Sequence, residues 1–291
     1  MSTGVPELDR LFAQVGSYRK SSELMALYEF LKRFPRISPY NAMLIHIQKP
    51  GSNYVASAST WLSEFNRRIK PEARPLVILW PFGPVKFVFD VSDTEGDEPF
   101  PEVLLNPFRP KGTVPKYCLD NLIESMKGDG IFYAEADHGP DRAGSIEIRE
   151  HAPALTVKRN RKTFRVKCLF AVVANKNHNV TTRFATILHE LGHLYCGHLG
   201  SAKAKWLPHR AHLGRNVREF EAESVCWLIC ERMGLENPSA AYLSSYTAEN
   251  TTIPVGFSID KVLKAAGIIE SMIQTKKRPR KELILGETAV D

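Results

Sequence analysis

No run of about 18 consecutive apolar residues occurs in the 291-residue chain, so no segment has the apolar length that a membrane-crossing helix needs. The opening MSTGVPELDR carries two acids and no apolar stretch, which argues against a secretory signal and sets the expectation of a cytoplasmic protein. Cysteine is scarce and unpatterned. Cys118, Cys168, Cys196, Cys226 and Cys230 form an odd, scattered set without a CxxC, which excludes a disulfide framework and a cysteine-built zinc ribbon. Internal repeats and low-complexity segments are missing, and 43% hydrophobic against 24% charged residues is too apolar for a disordered chain. A strong charge imbalance is missing as well. The net charge is +7, but residues 1–110 hold 13 Lys/Arg against 12 Asp/Glu, so composition alone does not announce a nucleic-acid partner. The densest basic runs, 158–167 (KRNRKTFRVK) and 276–281 (KKRPRK), read as a solvated strand edge and a tail.

What is present organises into two domains. Helical spacing of Leu24, Leu27, Tyr28 and Leu31 predicts a helix over 22–34, and Ser38-Pro39 supplies an N-cap and an N1 proline for a second helix ending at Gln48. Two short β-rich runs, 76–80 and 85–90, flank a Pro-Phe-Gly-Pro turn and read as paired strands. The proline-rich stretch 92–115 is the natural linker, with a boundary near residue 110. Beyond it the pattern predicts a helix near 120–126, a strand over 164–174, and helices over 182–195, 216–233 and 259–274. The fold class expected is α+β: a domain over 1–110, a second over 111–275, and a basic, disordered tail over 276–291.

His189-Glu190-Leu191-Gly192-His193 is an HExxH within a predicted helix. One helical turn sets both histidines on one face and Glu190 beside them, the arrangement a hydrolytic zinc site requires. With 9 histidines in the chain, roughly 0.02 such matches are expected by chance. Catalytic zinc takes three protein ligands and keeps a fourth position for water. The HExxHxxGxxH pattern does not apply, because Cys196 and Leu199 occupy its glycine and third-histidine positions and His198 is out of step. The downstream helix instead begins with Glu219 and Glu223, one turn apart, ahead of a stretch apolar on nearly every face. Carboxylates entering a core need a cation, so Glu219 is expected as the third ligand and Glu223 as an acceptor for a histidine N–H, with Glu221 facing away. Cys226 and Cys230 read as core.

HELGH followed by REFEAES resembles the ImmA/IrrE-like metallopeptidases, whose pattern pairs HExxH with a later ExxA and an Asp, Asn or Glu. The first half resembles the ArdC-type antirestriction proteins through SPYNAMLIHIQ, TWLSEFNRRIKPEARPLVILWP and FVFDVSDTEG, in that order. Pro71 and Ala73 stand where that family has the glycines of a KKGEKG-like turn. The resemblance implies an ArdC-like N-terminal domain that binds single-stranded DNA and a zincin-like metallopeptidase domain. Tyr242 becomes the candidate oxyanion donor because AYLSS is similar to the family's segment after the third-ligand helix; Tyr246, His209 and His212 are further candidates.

The residues themselves give a thinner case for DNA. Arg67, Arg68, Lys70 and Arg74 are candidate backbone-binding cations near Tyr54, Trp61 and Trp80, although Trp61 and Trp80 read as core. The function expected is therefore a zinc-dependent metallopeptidase using Glu190 as base. Its substrate is a protein or peptide, held as an added strand against an edge around 165–174, and it is fused to a single-stranded DNA-binding domain. The rival expectation is a DNA-binding antirestriction protein in which zinc organises the fold and peptide cleavage is absent or incidental. No membrane partner is expected.

Overall fold

The computed structural model describes residues 21–81, 83–101, 104, 112–137, 143–149, 151–200, 204–235 and 253–289. They form a mixed α+β structure in two compact units, dividing between Pro110 and Lys111, with Arg232–Gly234 grouping with the first. Among the described residues no helix is long and apolar enough to cross a membrane.

In the first unit, helices α1 (Ser21–Lys32) and α2 (Pro39–Gln48) precede a three-stranded antiparallel sheet of order β1-β4-β3, formed by Val55–Ala56, Gly83–Asp90 and Leu76–Trp80. Ser38 caps α2 through its hydroxyl, as its position before proline predicts. The outer edge of β3 is satisfied by side chains. Asn41 exchanges two hydrogen bonds with the Leu79 backbone (2.9 and 3.1 Å), and Gln48 exchanges two with the Val77 backbone (both 2.9 Å). These amides from α2 stand in for a neighbouring strand and blunt an edge that would otherwise template aggregation. Helix α3 (Ala58–Phe65), capped by Ser57, ends at Asn66 in the left-handed region. It buries Trp61 completely, and the indole N–H donates to the Phe89 carbonyl at 2.9 Å. A short ladder joins β2 (Arg68–Ile69) to β5 (Thr94–Glu95).

The FDVSDTEG stretch is a turn organised by one carboxylate. Asp90, 1% exposed, accepts from the backbone N–H groups of Asn53 (2.9 Å), Tyr54 (3.2 Å) and Ser92 (3.0 Å). Lys49 supplies the balancing charge, 3.9 Å from Asp90 and 2.7 Å from Asp93.

In the second unit, α4 (Lys116–Gly128) leads into two three-stranded sheets. One has the order β6-β10-β7 (Ile131–Ala136, Phe170–Asn175, Gly144–Ile148), with β10 parallel to β6 and antiparallel to β7. The other is antiparallel, of order β11-β9-β8 (Ile284–Ala289, Lys162–Val166, Leu155–Arg159). Helices α5 (Val180–Tyr195), α6 (Arg215–Met233) and α7 (Ile259–Gln274) complete the unit, with α7 packed on α4 and α5. The core gathers Leu122, Met126, Phe170, Phe184, Leu188, Leu191, Leu228 and Ile269, all 2% exposed or less. All five cysteines are buried free thiols.

Three expectations are corrected. The single strand over 164–174 is two strands in different sheets, because the backbone at 167–169 turns to pair with Leu283 and Gly130 instead of continuing one ladder. Both halves are central, with neighbours on each side, so neither offers an edge to a substrate. The segment 276–289 is ordered rather than a free tail. Arg280 pairs with Asp129 (3.0 Å) and stacks over Trp206 (3.8 Å to the ring centroid), Leu283 is buried, and β11 pairs with β9. A charge count over KKRPRK does not register that Asp129 and the Trp206 face wait for one of its cations. Trp80, read as core, is 41% exposed at the end of β3 beneath the Lys86 ammonium.

Candidate metal centre

The HExxH lies on α5, begun by Asn179, whose side chain accepts from Thr182 N–H. The apolar positions Phe184, Leu188 and Leu191 hold one face in the core and leave His189, Glu190 and His193 half-buried. Opposite stands α6, and the two helices meet through small residues. A Cβ on Gly192 would lie 3.1 Å from the Ala222 Cα and 3.2 Å from its carbonyl oxygen. Gly192 and Ala222 therefore permit a backbone approach that larger residues would block, and Glu219, one turn before Ala222, reaches the histidines because of it.

Three donor atoms converge. His189 Nε2 and His193 Nε2 are 3.1 Å apart, and Glu219 Oε2 lies 3.5 and 3.6 Å from them. A tetrahedral zinc with bonds of about 2.0–2.1 Å separates its donors by roughly 3.3–3.4 Å, so the triangle matches the ion's dimensions. The donor set, two imidazoles and a carboxylate, suits zinc chemically as well. Glu223 Oε1 stands 3.3 Å from His189 Nδ1, on the side of the ring away from the triangle. The structure thus brings together His189, His193, Glu219 and Glu223, with Glu190 adjacent.

The electrostatics agree with a cation-binding site. Burial lowers the His189 pKa, but hydrogen bonds to Glu219 and Glu223, aided by the charge of Glu190, outweigh it and push the value up to about 10. His193 is lowered, first by burial and then by the neighbouring His189, against the opposing pull of Glu219. Glu219 is held well below the carboxylate range by its two histidine neighbours, His189 first and then His193.

A buried second group surrounds the far side of His193. His198 Nδ1 is 2.9 Å from His193 Nδ1, and His198 Nε2 is 2.9 Å from Glu221 Oε2. Glu221, fully buried, also receives two hydrogen bonds from Arg210 (2.5 and 2.6 Å) and one from Ser258 N–H (2.8 Å). Cys196, His198 and Glu221 are close enough to hold an ion. Arg210 occupies both Glu221 oxygens, however, and burial pushes the Cys196 thiol well up, which disfavours the thiolate a metal needs. Sequence reasoning missed His198 as a neighbour of His193 because helical register puts it out of reach. The signal is Gly197, in the left-handed region at φ 85°. Gly197 N–H bonds Leu194 O (2.9 Å) and His198 N–H bonds His193 O (2.9 Å), the two bonds of a Schellman turn. That turn folds His198 back over the last turn of α5. A Cβ at Gly197 would lie 2.4 Å from Pro208 O, so only glycine fits there.

Of the remaining candidates, Tyr242 and Tyr246 lie outside the described residues, and His209 and His212 are exposed. In the first unit the guanidinium of Arg67 is spent on Thr94 Oγ1 (2.8 Å), Thr94 O (3.2 Å) and Glu98 O (2.8 Å). Lys70 donates to Ser92 O (2.9 Å) but stays exposed, as do Arg68 and Arg74. No family model, curated protein or solved structure matches the chain.

Proposed function

We propose that the second unit is a zinc-dependent peptidase of the ImmA/IrrE-like kind, with His189, His193 and Glu219 as ligands and Glu190 as the proton acceptor. The observation that carries this reading is the donor triangle with sides of 3.1 to 3.6 Å, beside a glutamate on the same helix. Zinc held there supplies Lewis acidity toward a water and a scissile carbonyl. Glu190 takes the proton of the attacking water and returns it to the leaving amine, while Glu223 orients His189 through Nδ1.

The extended substrate is assigned to a different strand from the one expected. Among the described residues β7 pairs only with β10 and so has an open edge. A Cβ on its first residue, Gly144, would come within 2.5 Å of the side chain of Thr186, one turn before Glu190. Strand addition along β7 would bring a peptide past the base. Glu190→Gln tests the chemistry. The variant should keep zinc and fold while cleavage of a substrate falls by about 10²–10⁴-fold or more, and undiminished cleavage refutes the assignment of the base.

For the first unit, single-stranded DNA remains the proposed ligand, as expected of an ArdC-like domain. Support comes from the exposed cations Arg68, Lys70 and Arg74 and from Trp80 and Phe87, 41% and 56% exposed on the β3–β4 hairpin. Arg67 drops out of the contact set because its donors are engaged internally.

A further inference from the structure

The two histidine ligands are supported differently. His189 meets a carboxylate, Glu223, directly, whereas His193 meets another histidine and only through it a carboxylate. Two imidazole nitrogens 2.9 Å apart must share one proton, since two donors or two lone pairs facing each other repel. The remainder of the chain decides where that proton sits. His198 Nε2 faces a Glu221 oxygen at 2.9 Å and so carries hydrogen. Arg210, through two short hydrogen bonds, and Ser258 N–H already balance the charge of Glu221, so one N–H from His198 Nε2 completes the partners of the carboxylate. With that hydrogen on Nε2, His198 offers its Nδ1 as the acceptor, and the shared proton belongs to His193 Nδ1. The opposite arrangement would put hydrogen on His193 Nε2, the atom in the donor triangle, and close it to a metal.

We infer that Arg210, Glu221 and His198 form a positioning relay that fixes the Nδ1–H tautomer of His193 and keeps its Nε2 lone pair open toward the metal; this rests on the zinc reading above. Every member is part of the fold. The Schellman turn at Gly197 delivers His198, and α6 carries Glu221 two residues after Glu219, on the side of the helix away from the triangle.

The test uses the full-length, metal-free protein. Long-range nitrogen–proton NMR of the histidine rings should find His193 as the Nδ1–H tautomer in the wild type. His198→Phe, which removes the acceptor, should shift it toward Nε2–H. Zinc affinity of that variant, read by chelator competition with circular dichroism to confirm folding, should fall about 10–100-fold. His198→Gln carries an acceptor and a donor on one amide and should recover most of the loss, which a purely space-filling role would not predict. A metal-free wild type with His193 as Nε2–H, or a folded His198→Phe with unchanged zinc affinity, overturns the relay. If His198→Phe does not fold, the wild-type tautomer and the His198→Gln affinity decide. A protein that binds no zinc at all defeats the peptidase reading, while the tautomer measurement still decides the relay.

Discussion

The carboxylates of Asp90 and Glu219 both stand in sequence motifs, and they meet opposite surroundings. Asp90 is sealed at 1% exposure and its oxygens are taken by three backbone N–H groups. Glu219 is about a third exposed, and its partners are two imidazole nitrogens that also approach each other. The first pattern satisfies the backbone and leaves no capacity for a ligand. The second holds three donors at the separation an ion would impose, and proton sharing only partly relieves the crowding. Distinctive residues in a motif can therefore mark either a turn that must form or a site that must bind, and the partners separate the two.

The sharpest way to break the comparison is to remove donors from each. His193→Ala with Glu219→Ala should abolish stoichiometric zinc in metal analysis and leave the first unit folded; full retention of metal contradicts the ligand set. Asp90→Ala should do the reverse. Leaving buried N–H groups unpaired costs about 3 kcal/mol or more, seen as loss of a denaturation transition, with zinc content unchanged. A zinc loss matching the folding loss would show that the two motifs are not separable.

A smaller effect is expected at the helix crossing. Gly192→Ala places a methyl 3.1 Å from the Ala222 backbone, so α5 and α6 must separate by a few tenths of an ångström. Zinc affinity should weaken by roughly tenfold, while overall stability changes little because alanine's better helix propensity, about 1 kcal/mol, offsets the overlap. Equal affinity in a chelator competition would mean the close approach does not set the position of Glu219.

Proton linkage sharpens the picture further. In the metal-free protein His189 has a pKa of about 10, raised from its ordinary 6.5, so its contribution to stability is fully present below 6.5 and is lost as pH rises through 10. At pH 7 zinc must displace that proton. Calorimetry in buffers of different ionisation enthalpy should find about one proton released per zinc, and apparent affinity should rise about tenfold per pH unit in this range. A pH-independent affinity would contradict it. The smallest expected effect concerns DNA. Charge removal at Arg68 or Arg74 in the full chain should reduce the slope of log affinity against log salt by about 0.7 each, with no change in sequence preference. Salt-insensitive binding, or none by the wild type, removes DNA from the first unit.

Much of this protein was readable along the chain wherever a local pattern has a local cause. Ser38-Pro39 predicts the start of α2, the heptad-like spacing of Phe184, Leu188 and Leu191 predicts the buried face of α5, and HExxH predicts two histidines one turn apart. The match of Glu219 to the triangle followed from the cost of placing an acid at the start of an apolar helix. What the chain alone could not give was every arrangement made by segments far apart in sequence. The split of 164–174 between two sheets, the pairing of 284–289 with β9 and the capture of Arg280 by Asp129 and Trp206 all depend on partners far away in sequence for the C-terminal segment, or on a turn of three residues. His198 and Glu221 belong with these: one comes from a helix-ending turn and the other from a different helix, and only packing through Gly192 and Ala222 sets them in line behind His193, Glu221 on His198 and His198 on His193. Periodicity fixes which face of an element is buried, whereas the partner that face receives is chosen by the packing of the whole.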